Sequence, residues 1–169
     1  MTCLATVARA LAASLQATRA LMLVALAAAL AACTDVPLAP PDRDVAAKRF
    51  EAPQPGLAAL YVIREGTFVS TPVTLLIDQR RAGILGYDTY FRLELPPGWH
   101  DVRVFDPDTG QQLAVTNIQL AIGDTRFVSV ANAVFEAPLA RAMTEMTARE
   151  LPNVQGRNAV AGKRLAAAG

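Results

Sequence analysis

Few residues in this chain of 169 could do chemistry. It holds one histidine, His100, and two cysteines, Cys3 and Cys33. Serine hydrolysis needs a nucleophile, a base and a supporting acid. Ser70 and Ser129 could serve as nucleophiles, but neither sits in a Gly-x-Ser-x-Gly turn. His100 follows the turn Pro96-Pro97-Gly98-Trp99 and reads as a residue making a local hydrogen bond. Asp106 and Asp108 open like a calcium loop, but the later ligand positions are missing, so a tight turn is expected. Glu94 and Asp101 could meet across the Pro96–Trp99 turn, yet a glycosidase needs its carboxylates in a cleft, and nothing marks one. Gly156 to Lys163 has five residues between its glycines where a phosphate loop has four, and Arg164 stands where Ser or Thr would hold magnesium. The expectation is a protein without catalytic residues, metal or cofactor. Cys33 is the one side chain to which the sequence assigns chemistry.

The residues around Cys33 say what that chemistry is. Positions 1–32 contain no acid and two bases, Arg9 and Arg19. An uncharged run follows, Ala20 to Ala32. As a helix, 13 residues at ~1.5 Å each span about 20 Å, short of the ~30 Å hydrocarbon core of a bilayer. That length suits the apolar region of a signal peptide. The run ends in Leu30-Ala31-Ala32-Cys33, which resembles the lipobox of bacterial lipoproteins: Leu, two small residues, then Cys. The resemblance implies a diacylglyceryl thioether on the Cys33 sulfur, cleavage before Cys33 and a freed amine open to a third acyl chain. Two or three chains give lasting attachment where one gives only marginal binding. Thr34, in place of an Asp after the Cys, favours the outer over the inner membrane by analogy with enteric bacteria. The expected location is the cell envelope, facing the periplasm.

Processing at Cys33 changes the overall numbers. The 16 bases lose Arg9 and Arg19 while all 15 acids remain, so the charge moves from +1 to about −1. A balance near zero argues against nucleic acid as a partner. Cys3 leaves with the leader and Cys33 is alkylated, so no disulfide is expected although the periplasm permits one.

The elements that would position a site lie further on. Residues 33–56 read as a lipidated tether: Thr34 to Gln54 carries Pro37, Pro40, Pro41 and Pro53 and would reach ~65 Å if polyproline-like and ~25 Å as a coil; a short helix from Asp44 to Phe50 is the other reading. From Leu57 the pattern becomes short apolar runs split by turns. Leu57 to Arg64 is apolar on both faces, as a central strand is. Val73 to Asp78 and Ala82 to Leu85 follow. Thr89 to Leu95 alternates, with Phe91, Leu93 and Leu95 inward and Tyr90, Arg92 and Glu94 outward. His100 to Phe105, Gln111 to Ile122 and Thr125 to Ala131 complete seven strands. Pro138 to Leu151 has helical spacing in Leu139, Ala142, Met143 and Met146, and Glu145 and Arg149 suit an i,i+4 pair. The expected fold is all-β: a small antiparallel β-sandwich of about seven strands with one C-terminal amphipathic helix, spanning residues 57–152. A signal-peptide helix precedes it, and residues 153–169 are expected to be a disordered tail.

Four stretches resemble a family of bacterial lipoproteins described as domain of unknown function 2846. They are Leu60-Tyr61-Val62-Ile63-Arg64, Leu76-Ile77-Asp78 through Gly83-Ile84-Leu85, Tyr90-Phe91 through Leu95-Pro96-Pro97-Gly98-Trp99-His100, and Gly123-Asp124-Thr125-Arg126-Phe127-Val128. The chain departs from that pattern at Glu65 and at Gln79-Arg80-Arg81. It also resembles PEGA-type β modules. Both resemblances imply a small envelope β-sandwich, and neither supplies a catalytic residue. Exposed aromatics with arginine favour an interface, so Tyr87, Tyr90, Arg92 and Trp99 are the expected interaction patch. The partner would be an envelope protein or peptidoglycan, beside the membrane reached through the lipid. The expected role is a non-enzymatic binding or structural module; the alternatives are a subunit of a larger envelope assembly and a periplasmic hydrolase built around His100.

Overall fold

The computed structural model describes residues 36–66, 71–137 and 140–169. The expected leader, Cys33 and Ser70 lie outside these residues. Val36–Gly169 forms one compact unit. Among the described residues it has nine strands: β1 (Ala58–Arg64), β2 (Val73–Ile77), β3 (Arg80–Leu85), β4 (Thr89–Leu95), β5 (Gly98–Phe105), β6 (Gln112–Leu120), β7 (Thr125–Ala137), β8 (Ala140–Leu151) and β9 (Arg164–Leu165). Two helices join them, α1 (Pro41–Ala47) and α2 (Asn153–Ala161). One sheet has the order β8-β7-β1-β4-β9 and the other β3-β2-β5-β6.

β1 is buried along its whole length and stands in the middle of the five-stranded sheet, as its two apolar faces require. It pairs antiparallel with β4 and parallel with β7, and β4 pairs parallel with β9. The sandwich is therefore mixed, not purely antiparallel. The parallel pair is possible because the chain leaves β1, builds the second sheet and returns before entering β7. Between the sheets lies the main core, which includes Leu60, Val62, Leu75, Leu85, Phe91, Val102, Val104, Ile118 and Val128. Each such side chain contributes roughly 1.5–3 kcal/mol on burial.

The five-stranded sheet has a second apolar layer on its outer face. Ala59, Tyr61, Ile63, Tyr90, Phe127 and Leu151 point there and are covered by Ala47 of α1, Val160 of α2 and Phe50. This layer corrects three expectations. Tyr90 faces outward from the sheet, as its alternation implies, but it is fully buried under the helices. The segment expected to be a tether packs instead: Val36 joins the main core, Pro41–Ala47 is helical with Pro at its start and Asp42 and Asp44 in its first turn, and Phe50 covers Tyr61 and Phe127. The expected disordered tail is ordered as α2 and β9.

The expected amphipathic helix over Pro138 to Leu151 is instead strand β8, paired antiparallel with β7 from Phe127↔Leu151 to Ala137↔Ala140. Met146 and Ala148 point into the main core, and Leu151, on the other face, joins the outer layer. Apolar residues two apart fit a strand as well as residues three and four apart fit a helix. A ladder of this length decides between them, because helix propensity is a weak prior that tertiary pairing overrides.

Candidate functional site

A cleft of about 640 Å³ runs between α1, the 51–55 loop, β4 and the chain end at 165–168. Its polar lining is Arg43, Glu51, Gln54, Arg92 and Glu94, and Ala and Pro residues supply most of the rest. α1 and β9 form its walls because Asp44 ties them to β4. The Asp44 carboxylate accepts hydrogen bonds from Tyr90 Oη at 2.8 Å, the Leu165 N–H at 2.9 Å and Lys48 Nζ at 2.8 Å. Partial burial acts to raise the Asp44 pKa, but these donors outweigh it and hold the carboxyl below its ordinary range. Burial, then the hydrogen bond to the Asp44 anion, pushes the Tyr90 phenol well above its ordinary value. Tyr90 is thus a permanent donor in this arrangement.

Arg92 is held on the cleft floor. Its Nη1 meets Glu94 Oε1 at 2.9 Å and its Nε donates to Tyr61 Oη at 3.0 Å, while Tyr61 Oη donates to the Ala47 carbonyl at 2.7 Å. Partial burial works against the Arg92 charge, and Glu94 and the phenol more than restore it. Glu94 Oε2 also accepts the Gln54 N–H at 3.3 Å. These groups are paired with one another, and no nucleophile stands beside a base here. The arrangement can fix a shape and present polar groups to a partner. Among the described residues no three His, Cys, Asp or Glu side chains converge as a metal site would require.

The expected patch is not brought together. Tyr87 lies on the β3–β4 turn at 37% exposure, and Tyr90 is buried. Tyr90 and Arg92 point from the outer face of the five-stranded sheet. Trp99, 69% exposed, points from the outer face of the other sheet, because His100, Val102 and Val104 point inward from the same strand. The thickness of the sandwich separates them. Asp44 and Tyr61 escaped the sequence reading as site residues, and Glu94 was weighed there only as a partner of Asp101. Pro40-Pro41 followed by Asp42 and Asp44 was the available signal, since it matches a helix start.

The remaining candidates are structural in geometry. His100 Nδ1 faces Asp78 Oδ2 at 2.6 Å and Nε2 faces the Pro96 carbonyl at 2.8 Å, so both ring nitrogens are engaged. Asp106 Oδ1 accepts the N–H groups of Asp108 and Thr109, both at 2.9 Å, closing the turn before β6. Glu94 is bound to Arg92, whereas Asp101 is bound to Arg103 in the other sheet. Ser129 donates to Glu65 Oε2 at 2.5 Å. Gly156 sits inside α2 with the Phe127 ring against it, not at the mouth of a phosphate loop.

These features define a two-layer β-sandwich whose outer layer is closed by two short helices. No model of a known protein family matches the chain, and no relative was found among curated proteins.

Proposed function

We propose that the protein is a lipid-anchored, non-enzymatic module of the bacterial cell envelope, attached through Cys33 and facing the periplasm, with the outer membrane favoured. The observation that carries this reading is Leu30-Ala31-Ala32-Cys33 behind a basic segment and an apolar run of 13 residues. No helix among the described residues is long and apolar enough to cross a membrane. The resemblance to the domain of unknown function 2846 lipoproteins points the same way.

Anchorage at Cys33 sets the geometry. The first described residue, Val36, already packs in the core, three residues beyond the acylated cysteine. Three extended residues span at most ~11 Å. The body would therefore ride close to the headgroups and not at the end of a long tether. The polar cleft around Arg92 and Glu94 then suits a binding or scaffolding role toward an envelope protein or peptidoglycan, since Arg92 and Glu94 are paired with each other at 2.9 Å.

The test is Cys33→Ser with membrane fractionation and intact-mass measurement. The wild type is expected in the membrane, lighter by the leader and heavier by two or three acyl chains. The variant is expected unacylated and lost from the lipid-extracted fraction. Recovery of the variant in the membrane at wild-type mass would overturn the reading.

A further inference from the structure

Trp99 is the only tryptophan of the chain, and it is 69% exposed. Alternation along β5 sends His100 inward and Trp99 outward, so the fold forgoes most of the burial energy of its largest side chain. Trp99 does not stand on open sheet. It borders a groove of about 510 Å³, a size that holds small-molecule ligands in other proteins. Gln119 stands directly across from Trp99 in the β5–β6 ladder, and Asn117 lies two residues before it on the same face, both exposed.

The turn before β7 and the strands β7 and β8 add Asp124, Arg126 and Glu150 to the lining. These three are fixed by one another. Arg126 Nε donates to Asp124 Oδ2 at 3.1 Å and its Nη1 to Glu150 Oε1 at 2.8 Å, and Asp124 Oδ2 also accepts the Ala121 N–H at 3.1 Å. Each carboxylate uses one oxygen in these contacts, which leaves the second to accept from a ligand. The groove thus joins one aromatic surface to two amides and two carboxylates already held in place.

We propose that this groove binds an uncharged saccharide chain, with a sugar ring stacked on Trp99 and its hydroxyls held by Asn117, Gln119 and the carboxylates of Asp124 and Glu150. A pyranose has an apolar C–H face and a rim of hydroxyls. An indole offers a broad apolar face to the first. Hydroxyls both donate and accept, and a side-chain amide carries both functions in one plane, while a carboxylate accepts two donors. Asp124 and Glu150 against Arg126 leave one net negative charge in the lining, which disfavours an anionic sugar. A protein partner suits the groove less, because the core of a protein interface is a continuous apolar patch. Here Ile118 and Leu120 are buried and Ala121 is small, so Trp99 alone offers a large apolar surface.

The groove shares no lining residue with the Arg92 cleft and does not depend on acylation of Cys33, so either reading can fail without the other. With no second tryptophan in the chain, Trp99 fluorescence reports on this site alone. The test titrates the full chain, purified in a detergent without a sugar headgroup, with chitotetraose and with cellotetraose. The Trp99 emission is expected to shift to the blue and saturate with at least one of them, and tetragalacturonate is expected to cause no shift. A preference for chitotetraose upholds the site and adds a contact to the acetamido group, and an equal response upholds it through ring and hydroxyls. Asn117→Ala/Gln119→Ala is expected to weaken binding about tenfold, since both amides lose hydrogen bonds to the sugar. Trp99→Ala, followed by calorimetry, is expected to abolish the heat of binding. Both variants are expected to melt with the wild type, because all three side chains are exposed. Unshifted emission with both neutral tetramers, wild-type affinity in the amide variant, or an equal response to tetragalacturonate would each overturn the proposal.

Discussion

Gly156 shows how much one absent side chain can decide. A Cβ there would fall within the Phe127 ring, which is itself fully buried against Tyr61 with ring centroids 5.0 Å apart. Gly in a helix costs about 1 kcal/mol relative to Ala, and overpacking costs about 1–3 kcal/mol. Overpacking wins because Phe127 is held between Tyr61 and Phe50 and cannot retreat. Gly156→Ala is expected to lower unfolding stability by up to about 2 kcal/mol, read as a lower urea midpoint. A raised midpoint would mean that α2 lifts freely from the sheet. At the same scale, Tyr90 was legible as outward-facing from the alternation of β4. Its burial was not, because the residues that cover it come from segments far away in the chain.

Among the elements, α1 is too short to stand alone, since isolated helices under ~12 residues are marginal in water. Asp44 fixes it to β4 and β9. The folded-state pKa of Asp44 is depressed below its unfolded value of about 3.9. Its contribution is therefore complete above that value and is lost as pH falls through the lower folded pKa. Asp78 is shifted the same way: partial burial opposes the shift, but hydrogen bonds from His100 and the Asp101 N–H outweigh it. Asp44→Asn is expected to cost about 2 kcal/mol at pH 7 through loss of charge-assisted hydrogen bonds. The gap to wild type should narrow below about pH 4, where the wild-type carboxylate begins to protonate. Urea titrations of both proteins from pH 7 to pH 3 measure this, and a gap independent of pH would remove the carboxylate's charge from the account. β8 carries the opposite lesson. Its residues permit either periodicity, and only its partner β7 makes it a strand.

At the scale of the whole molecule, the two ends of the described chain meet. Ala39 N–H donates to the Leu165 carbonyl at 2.9 Å, and Ala167 N–H to the Pro37 carbonyl at 2.8 Å. Leu38 and Ala166 form a bridge. α2 and β9 lock the segment that follows the proposed lipid attachment onto the body. Deleting residues 153–169 would uncover Phe127, Tyr61 and Tyr90 and remove one of the Asp44 partners. It is expected to lower the melting temperature by more than 5 °C, since 1 kcal/mol shifts a domain of this size by about 4 °C, and to expose residues 36–50 to protease. A truncated chain melting with the full one would show that the outer layer is dispensable.

The sequence by itself determined the β architecture, most of the strand bounds and the central place of β1, and it alone carries the acylation proposed at Cys33. Each of these is local: period-two alternation and turn residues are written in neighbouring residues, and so is the Leu30-Ala31-Ala32-Cys33 run on which the proposed anchorage rests. The tertiary structure decided what covers the outer face of the five-stranded sheet, where Arg92 and Trp99 stand relative to one another, the identity of β8 as a strand and the order of the last 17 residues. Each of those depends on contacts between residues distant in the chain. α2 shows the reason most clearly: it has only Gly156 and Val160 buried, too few to mark a helix in sequence. They suffice in the fold because Phe127 and Tyr61 already present a surface that must be covered.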